Sequence, residues 1–545
     1  MKRLVIIVLT VCCMTTLASC SPYRYEEVIP VVEKMTIEQK IGQMIMPAVP
    51  GSKAGRTSRK ILKNFQPGGI ILFGFNLENR QQTIEFIDTM QAESMKHSGI
   101  PLFISIDQEG GRVKRIRDGV TQFPGNLAFG VADDKDLVYG AARVIGLELR
   151  MMGVNMNLAP VLDVNNNPLN PVINLRSFGS EPEIVSRMGV SYIKGLQDGK
   201  CIAVGKHFPG HGDTDRDSHH TLPVIRYDMK RLQKVELVPF RHAIDAGVEG
   251  IMTAHIAYPE ILDSIEPATI SSFFLTTLLR EKMGFKGIVL TDDMEMEGIA
   301  GVTSPGEGAV KAVQAGADII LISSYGENVK HIYETLLAAV KEGAIPEERI
   351  DKSVTRILEQ KVRYGILKKD KQSLKMKEFV LTDDDRDILS QANKINRLAS
   401  QKALYFCAGK NDPFSNYQVR GSGQNCVLIT SDSTAVAAFK RRFKDITVLK
   451  KWDAKKTAGK RVYVVTGSSS GKEIAEMVSQ EHLDNKKVLV IYTGNPFRLY
   501  DRTVIPPTVF TFSNTDCSIQ QAVGSIAGDF TPADNINVDL GFKSQ

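Results

Sequence analysis

Ile202-Ala203-Val204-Gly205-Lys206-His207-Phe208-Pro209-Gly210-His211-Gly212-Asp213-Thr214-Asp215-Arg216-Asp217-Ser218-His219-His220 joins an apolar, β-rich run to a loop crowded with titratable groups. The loop, from Lys206, holds four of the nine histidines of the 545-residue chain. Pro209, Gly210 and Gly212 forbid a packed helix there. A strand that ends in such a loop puts chemistry at its carboxyl end, and loops held by a rigid scaffold are where function concentrates.

Similar runs recur on both sides of this one. Ile41–Met46, Gly69–Phe73, Leu102–Asp107, Met156–Val164, Gly250–His255, Gly287–Asp292 and Asp318–Ser323 read as strands, which with Ile202–His207 makes eight. Between them Arg80–Lys96, Glu183–Gln197, Met229–Ala246 and Ser272–Lys282 read as helices, and Glu348–Tyr364 as the last. Eight strands alternating with helices predict a (β/α)8 TIM-type barrel. An open doubly wound sheet fits less well, because no Gly-rich dinucleotide turn follows the first strand. Reactive groups of a barrel sit at the carboxyl ends of its strands. Asp107, Asp163, Lys206-His207, His255 and Asp292 all fall there. Any one alone reads as a turn residue or strand cap, but five together predict one pocket.

Composition sets outer limits. Hydrophobic content of 43% and charged content of 24% are globular values, and the length implies more than one domain. The formal charge of +6 comes without a basic cluster interleaved with aromatics, so nucleic acid is not expected as a partner. Lys2-Arg3, an apolar run from Leu4 to Val11 and Leu17-Ala18-Ser19-Cys20 have the layout of a secretory signal. Leu-Ala-Ser-Cys resembles a bacterial lipobox, with Cys20 as the lipidated residue. The expectation is a signal over 1–20 and a body held to a membrane of the cell envelope by acyl chains at Cys20. Cys201, Cys407, Cys426 and Cys517 lack CxxC spacing; a bridge among the last three stays open.

With these elements in place, the motifs resemble glycoside hydrolase family 3, in its β-N-acetylglucosaminidase branch. The resemblance rests on Met35-Thr36-Ile37-Glu38-Gln39-Lys40-Ile41-Gly42-Gln43-Met44, Ile106-Asp107-Gln108-Glu109-Gly110-Gly111-Arg112-Val113 with Arg115, Leu158-Ala159-Pro160-Val161-Leu162-Asp163-Val164-Asn165, Arg176-Ser177-Phe178-Gly179, the Lys206–His220 loop and Thr291-Asp292-Asp293-Met294-Glu295-Met296. It spans nearly all of Thr36 to Tyr364. It implies retaining hydrolysis through a covalent glycosyl-enzyme, with Asp292 as nucleophile and His219, paired with Asp217, as acid/base. Spacing alone does not separate Asp292 from Asp293. The resemblance also implies that Asp107, Arg115, Arg176, Lys206 and His207 hold the sugar; Asp163 and His255 are further candidates for the pocket. A histidine suits the acid/base role because its ordinary pKa lies near neutrality. An aspartate on its other nitrogen fixes the tautomer and stabilises the imidazolium.

Rival chemistries fit the residues less well. No His-x-His ends the first strand and no His-Glu-x-x-His helix appears, so no metal or other cofactor is expected. Asp213-x-Asp215-x-Asp217 begins like a calcium loop but has Ser218 where glycine is required and Val224 in place of the bidentate glutamate. Gly467-Ser468-Ser469-Ser470-Gly471-Lys472-Glu473 is one residue short of a phosphate loop and lacks its Ser/Thr.

The domain reading is a barrel over 21–367, a charged helical linker over 368–400 and a smaller α/β sandwich domain over 401–545. In the last, Asn425–Thr430, Thr447–Leu449, Arg461–Thr466 and Lys487–Tyr492 read as strands. The expected activity is exo-β-N-acetylhexosaminidase, acting on peptidoglycan fragments or other glycans. The alternatives are a phosphorylase or β-glucosidase-type member of the family, and, in a different class, a glycan-binding surface lipoprotein.

Overall fold

Eight short parallel strands form a ring. They are β1 (Ile45–Pro47), β2 (Gly69–Leu72), β3 (Phe103–Ile106), β4 (Met156–Asn157), β5 (Ile202–Phe208), β6 (Gly250–Thr253), β7 (Ile288–Leu290) and β8 (Ile320–Ile322). β2 to β7 pair in sequence order, and β1 pairs with β8. Single bridges Ala48↔Ile71 and Leu290↔Ile319 join the two sheets and close the barrel. This computed structural model describes residues 25–370, 373–376, 379–407, 414–419, 421–450, 453–457, 460–467, 488–499 and 507–534. The expected signal and Cys20 lie outside the described residues, as does most of the Gly467–Glu473 turn.

Every strand residue of the barrel is buried. That follows from runs such as Gly69-Ile70-Ile71-Leu72, which have no polar face to turn to water. Each fully buried aliphatic side chain contributes about 1.5–3 kcal/mol to the inner wall. Three expected elements shift. Ile41–Met46 begins as helix, because Thr36 and Gln39 form a capping box that starts a helix over Ile37–Gln43. Met156–Val164 is strand only at Met156–Asn157, with a single bridge from Val161 to Lys206, since Pro160 has no N–H to pair. The single helix expected over Met229–Ala246 is two, Met229–Lys234 and Leu237–Asp245, broken where Glu236 packs against Gly210 of the loop.

Beyond the barrel, the charged segment is helical only from Asp383. β9 (Leu367–Asp370) and β10 (Ser373–Met376) first pair as an antiparallel hairpin. Helices Asp383–Ser390 and Ala392–Lys402 follow. A six-stranded sheet then runs in the order β11 (Tyr405–Cys407), β16 (Thr508–Phe510), β15 (Val488–Tyr492), β14 (Arg461–Thr466), β12 (Cys426–Ile429), β13 (Thr447–Leu449), parallel except for β11. One face packs on helices Ser433–Arg442 and Asp516–Ile526. The other buries Val427, Val462, Val490 and Phe510 against Leu127 and Ala128 of barrel helix Asn126–Ala132. Cys201, Cys407, Cys426 and Cys517 are free thiols. No described helix is long and apolar enough to cross a membrane.

Candidate active site

The carboxyl ends of the strands open into one cavity of about 470 Å³. Its lining includes Asp107, Arg115, Arg176, Lys206, His207, Asp217, His219 and Asp292, which brings together all the residues assigned to sugar or chemistry from the motifs. Asp163 and His255 lie behind the wall rather than in the lining.

The floor is a closed set of charges. Lys206 Nζ at the end of β5 donates to Asp107 Oδ1 (2.7 Å) and lies 2.8 Å from Glu109 Oε1. Arg176 grips the buried Glu109 in a fork, Nε to Oε2 at 3.0 Å and Nη2 to Oε1 at 2.8 Å. Arg115 Nη2 donates to Asp107 Oδ2 at 3.3 Å. Burial works against the charged Glu109, but Arg176 and Lys206 outweigh it and hold its carboxyl far below the usual range. Burial likewise disfavours the charged Lys206, and Asp107 and Glu109 overcome it, so the ammonium persists. Glu109 is a site residue that the sequence reading left unassigned, although it stands two places past Asp107 at the same strand end.

Asp163 organises the neighbouring wall. It is fully buried and accepts from His207 Nδ1 at 2.7 Å, from the His207 amide at 3.2 Å and from the His211 amide at 2.6 Å. Burial raises its pKa; the two imidazoles and the His211 amide pull it down further than that, so it stays ionised. The other ring nitrogen of His207, Nε2, lies 3.4 Å from Arg176 Nη2.

The two adjacent aspartates have different environments. The Asp293 carboxylate turns to the backbone, accepting from Ser323 N (2.9 Å) and Glu295 N (3.2 Å). Burial, with Asp292 alongside, pushes its pKa up to about 6. Asp292 is opposed by burial too, but His207, His255, the Asp293 amide and Lys206 hold its pKa below the ordinary value. At neutral pH Asp292 is a carboxylate facing the cavity, the state a nucleophile requires. His255 supports this turn from behind. Its Nε2 donates to the Asp293 carbonyl (2.9 Å) and its Nδ1 faces Thr269 Oγ1 (2.9 Å), while burial, opposed by Asp292, lowers its pKa.

Asp217 and His219 meet as the loop curls back on itself. His219 Nδ1 donates to Asp217 Oδ1 at 2.7 Å, and the His219 amide donates to the same oxygen at 2.9 Å. Burial of Asp217 is outweighed by these bonds, so its pKa is lowered and it remains ionised. His219 is exposed at the cavity mouth, with Nε2 as the nitrogen left for proton exchange. Among the described residues no cluster of three or more His, Cys, Asp or Glu has the geometry of a metal site.

Comparisons place this geometry among known proteins. Residues 36–360 match the family model described as "Glycosyl hydrolase family 3 N terminal domain". Beta-hexosaminidase A of Pseudoalteromonas piscicida is 38% identical over 326 residues, covering 56% of this chain and 54% of that protein. The chain thus spans about half the length of that relative. A beta-hexosaminidase of Nitrosomonas eutropha is 36% identical over 298 residues, covering 54% of this chain and 84% of that one. The solved family 3 beta-N-acetylglucosaminidase of Paenibacillus sp. FPU-7 superposes with a TM-score of 0.81 at 33% identity, over 94% of this chain and 99% of that one.

Proposed function

The chain belongs to glycosyl hydrolase family 3, and we propose that it is a retaining, exo-acting β-N-acetylhexosaminidase that removes terminal β-linked N-acetylglucosamine. The observation that carries this is the pairing, in one cavity, of an ionised Asp292 with the Asp217–His219 couple. Asp292 attacks the anomeric carbon and forms a glycosyl-enzyme ester. His219 gives its proton to the leaving oxygen, then takes one from the water that hydrolyses the ester. Asp217 fixes the tautomer and stabilises the imidazolium while it exists. Asp107, Arg115, Arg176, Lys206 and His207 form the surface on which sugar hydroxyls and the acetamido group exchange water for fixed partners.

The test is release of p-nitrophenol from p-nitrophenyl β-N-acetylglucosaminide. Wild type should turn it over with retention, and Asp292→Asn should lower kcat/KM by about a thousandfold or more. No release from any of a panel of aryl β-glycosides would end this reading. A rate that depends on phosphate, with sugar 1-phosphate as product, would assign phosphorolysis instead.

The Leu17-Ala18-Ser19-Cys20 run extends the proposal to place. Acylated Cys20 anchors the enzyme in the cell envelope, where peptidoglycan fragments are the substrates at hand. Cys20→Ser should move the activity from the membrane to the soluble fraction; activity that stays with the membrane would contradict the anchor.

A further inference from the structure

The half-buried Asp217 and the exposed His219 flank a buried residue. Ser218 lies between Asp217 and His219 and is almost fully covered. Its carbonyl accepts from Gly298 N at 3.0 Å, and its Oγ lies 2.8 Å from Nε2 of His211, itself buried. The other ring nitrogen, Nδ1, lies 2.8 Å from Thr214 Oγ1. The main chain of His211 is fixed as firmly: its amide donates to Asp163 Oδ1 at 2.6 Å, and its carbonyl accepts from Asn170 Nδ2 at 2.8 Å. Gly212 presses against Val164, leaving no room for a Cβ. Neither His211 nor Ser218 has a part in the chemistry described above.

We infer that His211 is a positioning residue for the acid/base couple, acting through the Ser218 hydroxyl, and that Asp163 ties this brace to the sugar-binding His207. Two requirements of such a brace are met. A ring that contacts two hydroxyls must be neutral if it is to donate through one nitrogen and accept through the other. Burial, helped by His207, holds the His211 pKa at about 4. The anchor must also not move with solvent, and Asp163 is wholly buried. One carboxylate therefore sets the position of the residue that grips the sugar and of the segment that carries the proton.

This rests on the hydrolase reading for its kinetic readout, so two measurements are paired. In the first, kcat/KM is compared for phenyl and 2,4-dinitrophenyl β-N-acetylglucosaminides. The phenyl group needs a proton to leave and the dinitrophenyl group does not. Ser218→Ala should lose about tenfold or more on the phenyl substrate and no more than about twofold on the activated one. His211→Gln, which keeps a polar group near the Nε2 position, should retain more phenyl activity than His211→Asn. Equal losses on both substrates, or none on phenyl, would overturn the brace. In the second, trypsin cleavage after the exposed Arg216 is timed in substrate-free protein. Ser218→Ala should be cut several times faster than wild type, and unchanged cleavage would overturn the brace. Wild type inactive on both glycosides would sink the hydrolase reading, and the cleavage rates alone would then decide this one.

Discussion

Asp163 shows how much one buried carboxylate can hold. It accepts from the His207 ring and from two main-chain amides and is fully buried. Asp163→Asn removes the charge those donors face and should cost about 3–5 kcal/mol of stability at pH 7, read by urea unfolding. The pH dependence has a definite sign. The folded pKa is below the unfolded value of about 3.9, so the stabilisation is full above that value and drains as pH falls through the folded pKa. The curves of wild type and Asp163→Asn should draw together as the pH falls through the folded pKa; a gap that does not narrow on acidification would mean the asparagine acts through packing. Sequence placed Asp163 at a strand end among pocket candidates. It could not show that the side chain would be consumed by His207 and His211, because that depends on Gly212 seating the loop against Val164.

At the scale of strands and helices, the two ends of the barrel divide the work. Carboxyl ends carry the site, and the opposite ends carry carboxylates that serve the fold. Asp318, ahead of β8, accepts from Ser353 Oγ and the Val289 amide and is ringed by Arg280, Arg349 and Arg356; these outweigh its burial and draw its pKa down to about 2. Glu249, ahead of β6, lies 3.4 Å from Arg363, and burial pushes its pKa up to about 8. The folded state therefore holds a proton that the unfolded chain gives up above about pH 4.3, and stability falls as pH rises from there towards 8. Glu249→Gln should stabilise by roughly 3 kcal/mol at pH 8 and by little at pH 4, with kcat/KM unchanged. Equal melting temperatures at pH 8 would show that the burial is relieved by solvent. Most of this layer was legible: β2, β3, β5, β6, β7 and β8 lie within a residue or two of the expected runs, because β-branched runs bounded by turns permit little else. The failures have local causes: a capping box before Ile41, a proline after Ala159, and the packing of Glu236 on Gly210. β11 and β16 were not among the expected strands.

In the whole molecule, the barrel and the second sheet share a core. Leu127 and Ala128 are buried in one cluster with residues of β12, β14, β15 and β16. Arg143 pairs with Asp384 and, at 3.0 Å, with Asp385 on the connecting helices, and Lys402 reaches Asp134 at 2.6 Å. A chain cut after Ile366 would leave that apolar face open and should be recovered as aggregate. A monodisperse, active truncation would show the second domain to be dispensable. Sequence composition revealed a second α/β layer but not this dependence, which rests on which face of helix Asn126–Ala132 turns outward. The proposed reaction depends on Asp292 as the nucleophile of a glycosyl-enzyme. Intact-mass and peptide mass spectrometry after reaction with a slow fluorinated β-N-acetylglucosaminyl donor tests this directly. One sugar residue should be found on the carboxylate of Asp292, lost again as the enzyme turns over. No adduct, or an adduct on Asp293, Asp107 or Asp217, would contradict it.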